Sequence, residues 1–427
     1  MSKTNVAYRN PWLWVPSLYF AEGIPYVFVM TVSVVMYKKM GISNTDIALY
    51  TSLLYLPWVI KGLWGPFVDM FKTKRFWVVV NQAILSAMLL AIGLAIPSSS
   101  FFLLTVMLFA LMAFSSATHD IAADGFYMLA LEQSQQAAFV GVRSTFYRAA
   151  TIFCQGLLVV IAGQLELHYS VATAWSFTFA IAAAIFLTLF LYHRIFLPHP
   201  ASDKASLQGE VQSVMGEFAK TFGQFFKRPD IGVVLSFLLL YRFAEAQLVK
   251  MVAPFLLDPR EAGGLGLSTT EVGIAYGTVG VGALLLGGIL GGIAISRKGL
   301  RWWLWPMVII MHSPDVMFVY LSQAQPTDFR LITAAVAIEQ FGYGFGFTAY
   351  MMYMIMTSEG QYKTAHYAIC TAIMAFGMMI PGAWTGALQE WIGYKSFFVW
   401  VLVSTIPGFA VAALAKIPPG FGKKKEA

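Results

Sequence analysis

Apolar residues run along this chain in blocks of twenty or more, separated by short polar breaks. Twelve such blocks stand near 12–37, 47–68, 76–96, 101–128, 139–164, 171–193, 231–254, 271–295, 302–322, 330–356, 365–388 and 394–415. A membrane crossing needs about 20 mostly apolar residues. Backbone cannot cross lipid with its polar groups unpaired, so each block is predicted to be an α-helix. The expected fold class is an all-α integral membrane protein with twelve transmembrane helices in two six-helix, pseudo-symmetric halves. The first block, from near Leu13, exceeds the about 7–15 apolar residues of a signal-peptide core, and no small-residue cleavage site follows it. It reads as a retained first span.

The long polar connection is 197–230, and it divides six blocks from six. The predicted organisation is an amino-terminal half over 1–196, a linker over 197–230 and a carboxyl-terminal half over 231–427. Within the linker, Val211, Val214, Met215, Phe218, Phe222, Phe225 and Phe226 recur at helical spacing between Glu, Lys and Gln. That pattern predicts an amphipathic helix lying on the cytoplasmic membrane surface. The halves also echo each other. Gly65-Pro66-Phe67-Val68-Asp69 precedes Lys72, Lys74 and Arg75, and Gly291-Gly292-Ile293-Ala294-Ile295 precedes Arg297, Lys298 and Arg301. With the six-plus-six layout this resembles the major facilitator fold and its loop signature, although Lys72 stands where the signature has a glycine. Asp69 is expected to take hydrogen bonds from a helix amino end or a basic side chain. Asp69, Lys74, Arg75, Arg297 and Arg301 are therefore the candidate gating-loop residues.

Composition agrees with the pattern. The 427 residues are 58% hydrophobic and 11% charged, against about 25% charged for a soluble domain, so the outer surface must face lipid. The net charge of +7 is explained by the positive-inside rule rather than by nucleic acid. Nineteen of the 28 Lys and Arg residues fall in the termini and the even-to-odd loops, with Arg143 counted in the 4–5 loop. The opposite loops hold Lys38, Lys39, Arg260, Arg330 and Lys395, and Lys61, Arg148, Arg242 and Lys250 fall inside blocks. Both termini are expected in the cytoplasm. Cys154 and Cys370 lie in apolar runs and read as reduced packing residues.

A charge at the bilayer centre costs about 2.5–3.5 kcal/mol on insertion scales, so the charges inside the blocks are the functional candidates. Asp120 and Asp124 stand four apart on the fourth block, after His119, and share a helix face. They read as proton carriers or substrate ligands, or else as structural partners of Arg143 or Arg148. Glu22, in the first block, is a further proton carrier or the partner of Lys61 in the second. Arg242 and Glu245 are three apart and either neutralise each other or present Arg242 to an anionic group of a substrate. Glu339 and Gln340 open a glycine-rich stretch through Gly346 in the tenth block. No strand precedes it, so it is not a phosphate loop. Asp315, beside His312 and Pro314, is a weaker candidate. The candidate substrate contacts are Arg148, Arg242, Glu245, Glu339, Gln340, Lys61, Tyr26 and Tyr147. No cofactor, metal or nucleic acid is expected, and a monomer is.

Other residues resemble one family. Phe20-Ala21-Glu22-Gly23-Ile24-Pro25, Lys61-Gly62-Leu63-Trp64-Gly65-Pro66 with Asp69, and Asp120-Ile121-Ala122-Ala123-Asp124 resemble AmpG-type muropeptide permeases. So do Gly141-Val142-Arg143 through Tyr147-Arg148, Phe225-Phe226-Lys227-Arg228-Pro229, Glu339-Gln340-Phe341 through Gly346, and Tyr367-Ala368. The acetyl-CoA transporters belong to the same wider group. The resemblance, over about residues 18–412, implies proton-driven import of anhydro-muropeptides across a bacterial inner membrane. Two positions depart from the family: Tyr127 replaces a basic residue, and Glu22 a small polar one. They leave open a different cargo, such as another glycan fragment, a sugar acid or a siderophore-like solute. A membrane-embedded enzyme or receptor is the remote alternative. No His/Cys cluster, Ser/His/Asp set or appended soluble domain supports it.

Overall fold

A computed structural model describes residues 10–204, Gly216 and 220–424, with the side chains of Pro66, Asp69, Met70, Gln133, Ala137 and Thr364 left out of the description. Among the described residues there is no strand. In chain order the crossings are α1 (Pro11–Lys39), α2 (Asn44–Leu53, resumed by Leu56–Ile60 and Gly65–Met70), α3 (Lys74–Ala95), α4 (Phe101–Ala130), α5 (Ser134–Leu165) and α6 (Val171–Phe196). Then follow α7 (Ile231–Leu257), α8 (Thr269–Lys298), α9 (Leu300–Ala324), α10 (Phe329–Ser358), α11 (363–392) and α12 (394–414). Nine described segments pass a strict test of length and hydropathy. One of them, Ala365–Leu414, holds both α11 and α12, divided where Gly393 takes φ +74°. α2 is interrupted around Pro57 and Gly65, and α10 carries Glu339 and Gln340, so these two fall short of the test.

Several breaks have a local cause. Pro25 supplies no N–H, and α1 widens into a π turn over Phe28–Val32 directly after it. Pro314 starts a 3-10 turn, Ser313–Asp315, that divides α9. α7 is interrupted at Tyr241–Arg242 and resumes as Phe243–Leu257. One boundary corrects the charge count: α5 begins at the helix Gln133–Thr151, so Arg143 lies inside that helix and not in a connecting loop. Val211, Val214, Met215 and Phe218 of the expected amphipathic helix lie outside the described residues, whereas Phe222, Phe225 and Phe226 sit in a described helical turn.

By contacts the chain forms two compact units. One comprises Met1–Val32, Ile60–Cys154 and Ile161–Glu217, and the other Ser33–Val59, Gln155–Val160 and Phe218–Ala427. The end of α1 and most of α2 thus pack with the second half of the sequence. The first unit has a core of Trp14, Leu18, Val78, Phe126 and Leu197. Within it Gly23 lets α1 approach α5: a Cβ there would lie 2.8 Å from that of Ala150 and 2.9 Å from the Tyr147 carbonyl oxygen. The second unit has cores around Phe255, Phe318 and Phe398, and around Phe237, Met307 and Tyr350. Large apolar side chains such as Leu94, Leu103, Ile195 and Ile289 are exposed on the outer helix faces, as a lipid environment requires.

Candidate functional site

In the first unit, the break in α2 places Lys61 on a 3-10 turn, and α4 presents Asp120 and Asp124 one helical turn apart. Arg143 of α5 reaches Asp124 at 2.5 Å, and Tyr19 of α1 donates its hydroxyl to the same carboxylate oxygen at 3.1 Å. The Arg143 guanidinium lies 4.3 Å from the Tyr19 ring centre and 5.1 Å from that of Tyr127. Tyr127, the departure from the family pattern, therefore gives Arg143 an aromatic face. Lys61 pairs with Asp120 at 3.8 Å, not with Glu22. Glu22 is buried, and its Oε2 has no hydrogen-bond partner. Among the described residues Asp120 and Asp124 are each in an ion pair and Glu22 is in none. Tyr26 and Tyr147 stand together, rings 6.5 Å apart, and Arg148, half-buried, makes no ion pair among the described residues.

His119 does not join the acids. It contacts Gln82 at 3.1 Å, Gln82 contacts His193 at 2.9 Å, and His193 reaches Ser17 at 2.9 Å. This buried chain ties α4, α3, α6 and α1 together.

In the second unit, Arg242 does not pair with Glu245. It donates to the Tyr343 hydroxyl and lies 4.6 Å from the Phe347 ring centre, enclosed by aromatic faces. Glu245 instead meets Asp315 and Glu339. One carboxylate oxygen from each lies within 4.8 Å of the others, and all three residues are buried. Gln340 donates to Glu339 at 2.9 Å.

A second polar cluster in this unit was not anticipated. Lys38 at the end of α1 pairs with Asp258 at 2.5 Å and donates to Asn44 at 2.8 Å. Asn44 donates to Gln389 at 2.6 Å and to the Tyr394 hydroxyl at 2.9 Å, and Tyr394 donates to Asp258 at 2.7 Å. Glu390 accepts from the Asn44 backbone at 2.8 Å and from the Thr45 hydroxyl at 2.5 Å. Deeper, Lys250 of α7 donates to Thr51 of α2 at 2.9 Å. These bonds clasp the α1–α2 connection to α7 and α11.

The side chain of Asp69 lies outside the described residues. At the start of α3, the backbone N–H groups of Lys74 and Arg75 donate to Asp203 at 2.7 and 2.9 Å. The Arg75 side chain donates to the Arg194 carbonyl at 2.6 Å, capping the end of α6. Arg297 and Arg301 are exposed on either side of Gly299.

The Major Facilitator Superfamily profile matches residues 17–256. The chain is 26% identical over 407 residues to a Rickettsia conorii protein that carries the name AmpG 4, with 91% of this chain and 92% of that one covered. It is 23% identical to the anhydromuropeptide permease of Escherichia coli, with 93% and 78% covered. Among solved structures it is similar to the nucleoside transporter NupG, at TM-score 0.69 and 16% identity over 95% of this chain and 98% of that one. It is likewise similar to a bacterial homolog of the human lysosomal transporter Spinster, at TM-score 0.69 and 15% identity over 97% and 96%. The resemblance read from the motifs agrees with these relatives.

Proposed function

This chain belongs to the Major Facilitator Superfamily, a multi-pass membrane transporter and not an enzyme, and from that premise we propose that it imports anhydro-muropeptides with protons across a bacterial inner membrane. The observation that carries the coupling is the acid cluster of the first unit. Asp124 and Asp120 each have a cation, while Glu22 is buried beside them with an oxygen that has no partner. A buried carboxylate outside any ion pair is stabilised by a proton or by a bound cation. Glu22 therefore carries a proton inside the membrane and gives it up where water or a cation reaches it, with Asp120 and Asp124 as its relay. The muropeptide cargo is supported by the Escherichia coli relative's name and by the motifs shared with that family.

In this reading Arg148, Lys61, Tyr26 and Tyr147 bind cargo from the first unit, and Arg242, Glu245, Glu339 and Gln340 from the second. Arg148, in no ion pair among the described residues, offers its guanidinium to the peptide carboxylate, and the paired tyrosine rings offer faces to sugar. Alternating access is a rocking of 1–196 against 231–427, joined by 197–230, in a monomer with both termini in the cytoplasm. The clasp of Lys38, Asn44 and Asp258 opens to admit cargo. Asp69, Lys74, Arg75, Arg297 and Arg301 serve the opposite gate.

Uptake of labelled anhydro-muropeptide and of a labelled oligosaccharide into cells expressing the protein tests this reading. Muropeptide accumulation that collapses with an uncoupler and in Asp124→Asn is expected. Oligosaccharide accumulation alone would reassign the cargo to another glycan fragment, the reading that Tyr127 favours.

A further inference from the structure

Glu245, Asp315 and Glu339 come from three helices whose breaks bring them together. Glu245 sits in the first turn of Phe243–Leu257, after the interruption of α7, and Asp315 directly precedes Val316–Ala324, after the 3-10 turn of α9. Both carboxylates therefore stand at helix amino ends. Glu339 projects from the middle of α10. All three residues are at most 1% exposed. Both oxygens of Glu245, both of Asp315 and one of Glu339 have no hydrogen-bond partner.

A fourth group points the same way. His312, 2% exposed, has its Nε2 3.3 Å from the Tyr241 carbonyl oxygen. A carbonyl only accepts, so Nε2 carries a proton. The ring Nδ1 has no hydrogen-bond partner and lies 3.6 Å from Asp315 Oδ2. Three buried carboxylates with five oxygens lacking partners need positive charge near them. Arg242 does not supply it, because its guanidinium is engaged with Tyr343 and Phe347.

We propose that Glu245, Asp315 and Glu339 form a binding site for a small hard metal cation of sodium or calcium size, with the His312 ring beside Asp315. Oxygens spaced up to 4.8 Å apart suit an ion with ligands at about 2.3–2.6 Å, and carboxylates are the donors such ions select. Gln340 donates to Glu339 and holds it in place. The site lies within the second unit, apart from the acids assigned to the proton. Glu245 and Glu339, named above as cargo contacts, hold the ion in this assignment and reach cargo only through it.

The test is thermal unfolding of the purified full-length protein in detergent, made ion-free in choline chloride with chelator. NaCl and CaCl2 are titrated at constant ionic strength, with KCl and MgCl2 alongside. A rise in Tm of at least about 3 °C with sodium or with calcium, and not with the other salts, is expected, and the ion that acts identifies the occupant. Asp315→Asn and Glu339→Gln are each expected to weaken that response at least about tenfold. Each also removes one of three crowded like charges, so the ion-free variants should unfold at or above the wild-type temperature. A wild-type protein indifferent to all four salts, or variants that keep the full response, would overturn the proposal. Should a variant not fold, the wild-type salt series decides alone.

Discussion

Replacing Asp258 by Asn removes the charge at the centre of the clasp between the α1–α2 connection and α7. Asp258 takes Lys38 at 2.5 Å and the Tyr394 hydroxyl at 2.7 Å, and the Lys38 and Asp258 side chains are only 15% and 12% exposed. Removing one partner of a buried pair costs about 3–5 kcal/mol. Asn keeps the shape and still accepts from Tyr394, and the pair touches solvent, so about 2–3 kcal/mol is expected here. At about 1.4 kcal/mol per tenfold, the open clasp gains about 30- to 100-fold in population. Ser52 reports the opening. It is fully buried beneath the clasp, against Gly382 of α11. In a background with Cys154 and Cys370 replaced by Ala, a Ser52→Cys probe should react with a maleimide about 30- to 100-fold faster once Asp258→Asn is added. An unchanged labelling rate together with an unchanged Tm would refute the clasp as an energetic element.

Three further outcomes follow from the first unit. Asp203→Ala leaves the Lys74 and Arg75 N–H groups uncapped and should cost about 1 kcal/mol, read as a Tm lowered by a few degrees. Gly23→Val drives a side chain into Ala150 and Tyr147 and should cost about 1–3 kcal/mol, seen as reduced folded yield from the membrane and lost uptake. Glu22→Gln keeps the shape while fixing the neutral state; uptake down a cargo gradient should persist while its stimulation by a proton gradient disappears.

Most of the membrane helices were legible because lipid allows a backbone only one way across, so hydropathy marks nine described segments, while the broken α2 and the polar-bearing α10 needed the block pattern as well. The intramembrane charges were legible as expensive residues, and Lys61, Asp120, Asp124 and Arg143 do lie together. Their partners were not all legible. The spacing of Arg242 and Glu245 suggests a pair only if the helix is continuous, and α7 is interrupted just there, so Arg242 turns to Tyr343 and Glu245 to Asp315 and Glu339. The clasp left no local signal at all. Lys38, Asn44, Asp258, Gln389 and Tyr394 stand at block ends, where polar residues are ordinary, and Asn44 meets Tyr394 from 350 positions away. Asp203 was hidden for the same reason: a cap for α3 supplied from beyond α6 has no spacing to betray it.

The central claim is that this transporter couples muropeptide entry to protons, and one measurement bears on both parts. Purified protein is reconstituted into liposomes, and uptake of labelled anhydro-muropeptide is followed with and without an inward proton gradient. The account predicts uptake accelerated by the gradient and abolished by a protonophore. Uptake at the same rate with and without the gradient, or none by protein shown to be folded, would contradict it.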